Sequence, residues 1–186
     1  MKDTIKEHAC AGQNHLQGLR FYHPSPSGHG SAMQLEPRFS NAQGDRYNCF
    51  FLELAAQKST SGRAEGKRVH ATFNWKEKVA VKLEFADICE ILVVLEGKVD
   101  KAGNGRGGLY HQNGAANTII TCQKNEGGGY LVGLSRKDGS TGETNRVSIV
   151  LREAEALGLR HVLQSSLFFL SFHQHLFRLW ALRSEG

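Results

Sequence analysis

The sequence predicts an α+β fold of two antiparallel sheets and two helices, built from two copies of one unit. Three observations carry this prediction. First, residues 78–95 (KVAVKLEFADICEILVVL) lie over residues 146–163 (RVSIVLREAEALGLRHVL) at an offset of 68. Val79 meets Val147, Val81 meets Ile149, Leu83 meets Leu151, Ala86 meets Ala154, and Asp87 meets Glu155. A basic residue, an alternating strand and an acidic helix start thus recur together, as a tandem duplication would leave them. Second, both segments open with a period of two, the signature of a half-buried strand. Third, 21 Gly against 3 Pro in 186 residues suits many short strands joined by turns.

Residues 1–30 show no periodicity and include HPSPSGHG (23–30), so they are expected to form a flexible arm that adds little stability. Strands are predicted over Ala32–Ser40 and Arg46–Lys58, with Phe50, Leu52 and Leu54 on one face of the second. Residues 59–68 (STSGRAEGKR) have no apolar pattern and read as a polar loop. In Lys78–Phe85 the residues Val79, Val81, Leu83 and Phe85 point one way, and Lys78, Lys82 and Glu84 the other. A helix is predicted from Asp87, with Glu90 completing a capping box, to about Gly97.

Glycines 103, 105, 107 and 108 mark a flexible loop. Thr118–Lys124 and Tyr130–Lys137 form a hairpin across Asn125–Gly129, and Arg146–Leu151 is a further strand. A long helix begins near Arg152, with Ala154, Leu157, His161 and Phe168 close to a 3.6-residue period. The predicted domain spans 31–170, with repeats at about 31–98 and 107–170. For the tail, 171–186, continued helix and a separate docking segment both fit.

Composition narrows the function. Hydrophobic residues at 40% and charged residues at 22% allow a packed core, and a net charge of +5 is compatible with an anionic partner. The longest apolar run is five residues, Ile91 to Leu95, far short of a membrane span. The N-terminal stretch lacks the apolar segment of a secretory signal. The four cysteines, at 10, 49, 89 and 122, contain no CxxC pair, which argues against a zinc ribbon or redox dithiol and for a reducing, cytoplasmic setting.

Gly103, Gly105 and Gly108 satisfy G-x-G-x-x-G, but in the order helix, loop, strand, the reverse of a dinucleotide site. Nine histidines show neither HExxH spacing nor paired cysteines, and no G-x-S-x-G elbow occurs. No enzyme, cofactor or metal is therefore expected.

The stretch 57–82 is richer. It holds seven basic residues (Lys58, Arg63, Lys67, Arg68, Lys76, Lys78 and Lys82) against the acids Glu65 and Glu77, with Phe73 and Trp75 interleaved. Cations track phosphates and rings stack unpaired bases, so this pattern fits a single-stranded nucleic acid. A solvated loop beside a core tryptophan fits equally. Beyond the stretch, Arg46 heads a predicted strand, Tyr110 is a second stacking candidate, and Lys124, Arg136 and Lys137 accompany the second hairpin. Arg146 holds the position equivalent to Lys78, and the small Ala80 and Ser148 leave room for a base.

At FNWKEKVAVKLEFADI (73–88) the chain resembles the Whirly family, in which a Tyr-Asp-Trp-Glu-Lys run leads into a strand and an acidic helix start. Leu109-Tyr110-His111-Gln112 resembles the family's Phe-Phe-His-Asp strand, and NTIITCQKNEGGGYLVGLSRKD (117–138) its Lys-Ser-Leu-Ser hairpin. Asn145 to Leu157 is similar to its Asn-Glu-Arg-Phe strand and Thr-Ala-Glu-Phe helix start, and Gly30-Ser31-Ala32-Met33 stands where it carries Lys-Gly-Lys-Ala-Ala-Leu-Ser. The likeness covers about residues 30–170.

It implies two ββββα repeats, a whirligig-shaped tetramer, and single-stranded nucleic acid bound across the sheets, as in Whirly proteins and the related kinetoplastid guide-RNA-binding proteins. Three departures stand out. His29-Gly30-Ser31 lacks both lysines of the family's first motif, residues 59–72 look like an insertion, and no clear transit peptide is present. The expected function is a non-enzymatic homotetramer binding single-stranded DNA, with RNA as second candidate, at low sequence specificity. A stripe of Leu163, Leu167, Phe168 and Leu170 is the expected helix contact between subunits. The alternative is a structural or protein-interaction module on the same fold.

Overall fold

The computed structural model describes residues 18–38, 49–64 and 66–184, with the side chains of the last helix described through Phe172. The first repeat comprises β1 (Leu19–His23), β2 (Ser31–Arg38), β3 (Cys49–Ser59), β4 (Gly62–Ala64), β5 (Lys67–Val69), β6 (Thr72–Phe73), a 3-10 turn (Trp75–Glu77), β7 (Val79–Leu83) and α1 (Phe85–Leu95). The second comprises β8 (Leu109–Asn113), β9 (Ala116–Lys124), β10 (Tyr130–Asp138), β11 (Thr144–Leu151) and α2 (Glu153–Ser184).

One antiparallel sheet runs β1-β2-β3, with β7 and then β6 sharing the far edge of β3; the other runs β8-β9-β10-β11. The α+β class and the paired sheet-plus-helix units are thus as predicted. Helices α1 and α2 pack on each other, α1 lies on β7 and β9, and β11 packs against β2, β3 and β7. A single core results. Its members include Leu52, Val81, Leu83, Ile120, Ile149 and Leu151.

The duplication is visible in atomic contacts. Helix α1 begins at Phe85 and α2 at Glu153, again 68 apart. Asp87 accepts from the Glu84 backbone N–H at 2.8 Å, and its equivalent Glu155 accepts from that of Arg152 at 2.9 Å. Residues at equivalent positions also touch each other. The Asn145 side chain donates to the Glu77 carbonyl at 3.3 Å, and the Gln164 side chain donates to the Glu96 carboxylate at 2.7 Å. Self-contacts of this kind occur on a twofold axis.

Three expectations are corrected, and one question left open is decided. The arm expected over 1–30 contains β1, whose Leu19 and Phe21 pack against the core, so the fold starts at least twelve residues before 31. Helix α1 starts two residues ahead of Asp87, because Glu84 is the cap and Asp87 its reciprocal partner. The polar loop over 59–68 holds the hairpin β4–β5. Of the tail, 171–184 continues α2, and residues 185–186 lie outside the described residues.

Candidate nucleic-acid interface

Each sheet has a core-facing side and an outer side, and strand register assigns residues to them. On the second sheet, Ile120, Cys122, Val132, Leu134, Val147 and Ile149 are buried beneath, which sends their neighbours outward. One outer row crosses all four strands as Tyr110, Ile119, Ser135 and Arg146; the next reads Gln112, Asn117, Lys137 and Thr144. With strands about 4.8 Å apart, the first row spans about 14 Å from aromatic ring to guanidinium. Tyr110 is 59% exposed and Ile119 37%.

No carboxylate falls on this outer side, and among the described residues none pairs with Arg146 or Lys137. Beside the Arg146 row, on the side away from Lys137, the surface is flat, for Gly133 lies opposite Ser148 and Thr121. A strand laid here would meet two unneutralised cations, an exposed phenol ring and amide or hydroxyl hydrogen-bonding groups.

The first sheet is built alike and charged differently. Its outer row reads Arg20, Gln34, Glu53 and Ala80, with Tyr22, Ala32 and Ala55 on one side and Glu36, Phe51 and Lys82 on the other. Lys78 Nζ lies 2.7 Å from both carboxylate oxygens of Glu53, a side chain only 7% exposed. Lys82 bonds Glu84 at 3.1 Å, Arg38 bonds Glu36 at 3.0 Å, and Arg20 donates to Gln34 at 2.7 Å. The cations of this face are held by partners within the protein.

The sequence-predicted candidates therefore separate. Tyr110, Lys137 and Arg146 come together on the second sheet. Lys124 and Arg136 are exposed but lie on the core-side register of the same strands, at their ends. Lys78 and Lys82 point outward, as expected, into the ion pairs just described. Lys58 and Lys76 are exposed near the far end of β3, and Arg46 lies outside the described residues.

Phe73 and Trp75 are half-buried in a cluster with Tyr22, at centroid distances of 5.5 and 6.5 Å. Sequence reasoning missed Tyr22, although a signal existed: Phe21-Tyr22-His23 repeats Leu109-Tyr110-His111. Register makes Tyr22 the equivalent of Tyr110 on the edge strand of the first sheet.

The two histidines of these strands lock the repeats together. His23 Nε2 lies 3.0 Å from both oxygens of Glu155, and His111 Nε2 lies 2.9 Å from Asp87, so each edge strand is tied to the helix of the other repeat. A hydrogen bond from Arg152, reinforced by His23, holds the Glu155 carboxyl down at about 2. At the β10–β11 turn the hydroxyl of Ser140 and the backbone N–H groups of Thr141 and Ser140 hold Asp138 at about 2. Burial pushes the Cys122 thiol up to about 12, which makes it inert packing. No helix among the described residues is long and apolar enough to cross a membrane.

On α2, the expected contact stripe is corrected. Leu163 is buried, and Leu167 and Leu170 pack against the protein's own core. Phe168 of that stripe is exposed, and among the described residues of α2 it is joined at the surface by Leu157, Val162, Phe169 and Phe172, with Phe168 touching both Phe169 and Phe172.

No protein-family model matches the sequence, and no curated protein matches it. Solved structures do match its fold. The Arabidopsis thaliana Whirly protein WHY1 is 16% identical, with a TM-score of 0.65 over 91% of this chain and 94% of that one. The plant transcriptional regulator PBF-2 is 18% identical, with a TM-score of 0.62 over 87% and 94%. A guide-RNA-binding protein complex, solved bound to a guide RNA, has a chain 19% identical, with a TM-score of 0.53 over 82% and 90%. The chain has the Whirly fold.

Proposed function

We propose that the protein binds single-stranded nucleic acid across the outer face of its second sheet, as a binding protein and not a catalyst. The observation that carries this reading is the pairing of Arg146 and Lys137, free of carboxylates, with the exposed ring of Tyr110 on one flat surface. The likeness in fold to a protein solved with guide RNA supports it. DNA is the first candidate ligand and RNA the second. Contacts to phosphates and ring faces carry little sequence information, so low specificity follows.

The same reading makes the protein a homotetramer assembled through α2, whose Phe168, Phe169 and Phe172 lie exposed on one stretch of helix. Clustered apolar surface of this kind marks an interaction site. Cys89 and Cys122 are free thiols, in keeping with a reducing, cytoplasmic setting.

Fluorescence anisotropy with a single-stranded and a duplex oligonucleotide, each at two salt concentrations, tests the proposal. Preferential binding of the single strand, weakening with salt, is expected. Equal affinity for both forms, or none for either, would refute it and favour the protein-interaction module.

A further inference from the structure

Residues 59–72, which look like an insertion relative to the Whirly pattern, build a feature of their own beside the end of β1. A cleft of about 320 Å3 opens there, with Tyr22, Ser61, Arg68, His70 and Phe73 in its walls. That volume is at the small end of the range for ligand sites, ~300–1,000 Å3, and suits one nucleotide-sized group better than an extended ligand. The rings of Tyr22 and Phe73 are tilted at 47° and not stacked, so neither covers the face of the other.

Charge gives the cleft a sign. Arg63 and Arg68 stand directly opposite each other across the β4–β5 hairpin, both exposed. Like charges in that position destabilise a ladder. Among the described residues no carboxylate pairs with either. An anion between the two guanidiniums would remove that repulsion.

The walls are held in place before any ligand arrives. The Gln57 carboxamide accepts from the N–H groups of Ser25 (2.7 Å) and Gly30 (3.0 Å) and donates to the carbonyls of Ser25 and Ser59, both at 3.0 Å. It thus fixes the β1–β2 loop to the end of β3. Gly30 is required there, since a Cβ would stand 2.4 Å from the His23 carbonyl oxygen and 2.7 Å from the Ser25 backbone nitrogen. Hydroxyls complete the frame, with Ser59 and Thr72 at 2.7 Å and the Ala71 N–H donating to Ser61 at 3.2 Å. A preformed site loses little entropy on binding.

We propose that this cleft holds one unpaired nucleotide of a bound strand, its base against Tyr22 and Phe73 and its phosphate between Arg68 and Arg63. The proposal rests on the protein's being a single-strand binder, and it adds a site on the first repeat, away from the second sheet. It also gives the arginine pair and the exposed tyrosine a common ligand.

The test uses the full chain and a twelve-nucleotide single strand, end-labelled for anisotropy or carrying one 2-aminopurine, whose emission falls on stacking. Wild-type protein is expected to quench the 2-aminopurine at a restricted set of positions. Tyr22→Leu should relieve the quenching and weaken binding about tenfold, within the range for one lost base stack. Arg63→Ser with Arg68→Ser, both at exposed positions, should keep the fold and lower the log–log salt slope by ~0.7 per lost phosphate contact. Unchanged affinity and quenching in the arginine double variant would overturn the cleft site while leaving strand binding intact, and would assign the hairpin to protein contact. Wild-type protein that binds no strand would overturn both readings.

Discussion

Replacing Lys78 by Met should damage stability and spare binding, whereas the same change at its repeat equivalent, Arg146, should do the reverse. Lys78 neutralises Glu53, whose side chain is 7% exposed at the centre of the first sheet. Removing one member of a fully buried pair costs about 3–5 kcal/mol. Lys78 is itself 38% exposed, so water screens part of that loss, and about 2 kcal/mol is the appropriate scale. For a chain of this length that corresponds to a fall of roughly 4–8 °C in melting temperature.

Arg146 faces Ser135 and among the described residues has no carboxylate to abandon, so Arg146→Met should stay within about 0.5 kcal/mol of wild type. Its effect should appear instead as a salt slope shallower by ~0.7. Thermal melts by circular dichroism, with anisotropy measured well below the transition, read both quantities. Adding Glu53→Gln to Lys78→Met should recover about 1 kcal/mol or more, since it removes the stranded carboxylate. A Lys78→Met variant that melts like wild type and lowers the salt slope would refute the division of labour between the two sheets.

Gly133→Ala should leave the melt unchanged, because the added Cβ meets Ser148 and Thr121 at 3.4 and 3.6 Å, and should weaken strand binding by filling the flat part of the face; unchanged affinity would move the strand elsewhere. The folded pKa of Glu155 is depressed to about 2 from an ordinary 4.5, so its stabilisation is complete above about pH 4.5 and is lost as pH falls towards 2. Melts from pH 6 to 3 should therefore show the gap between wild type and Glu155→Gln closing; a constant gap would contradict the linkage. Deleting residues 1–23 removes β1 and should lower the melting temperature markedly, whereas deleting only 1–17 tests the remainder of the arm. Phe169→Asp with Phe172→Asp should yield smaller particles in light scattering, and unchanged mass would rule out this stretch of α2 as the subunit contact.

What could be read from the sequence follows from where the information lies. Strands β7 and β11 and the starts of both helices carry dense local patterns, alternation followed by an acidic cap, and these were legible to within two or three residues. Strand β1 alternates too, but over five residues beside a Pro/Ser/Gly stretch, and its partner β2 lies across a loop. The hairpin β4–β5 is exposed throughout its described side chains, so no apolar periodicity announces it. Orientation of Lys78 and Lys82 was legible from alternation, whereas their neutralisation was not. Glu53 is 25 residues from Lys78 in sequence and becomes its neighbour only through the β3–β7 register.

The self-contacts between equivalent positions, Glu77 with Asn145 and Glu96 with Gln164, carry an evolutionary consequence. In a single-repeat ancestor each would have been one residue meeting its own copy in a symmetric dimer, where every mutation acts twice. Joining the copies in one chain ended that constraint and let one half change without the other. The positions opposite Ala80 and Ser148 show the result, with a carboxylate that anchors a lysine in one repeat, Glu53, and a bare glycine in the other, Gly133. Fusion thus allowed one sheet to turn its charges on one another and left the other with cations that no described carboxylate meets.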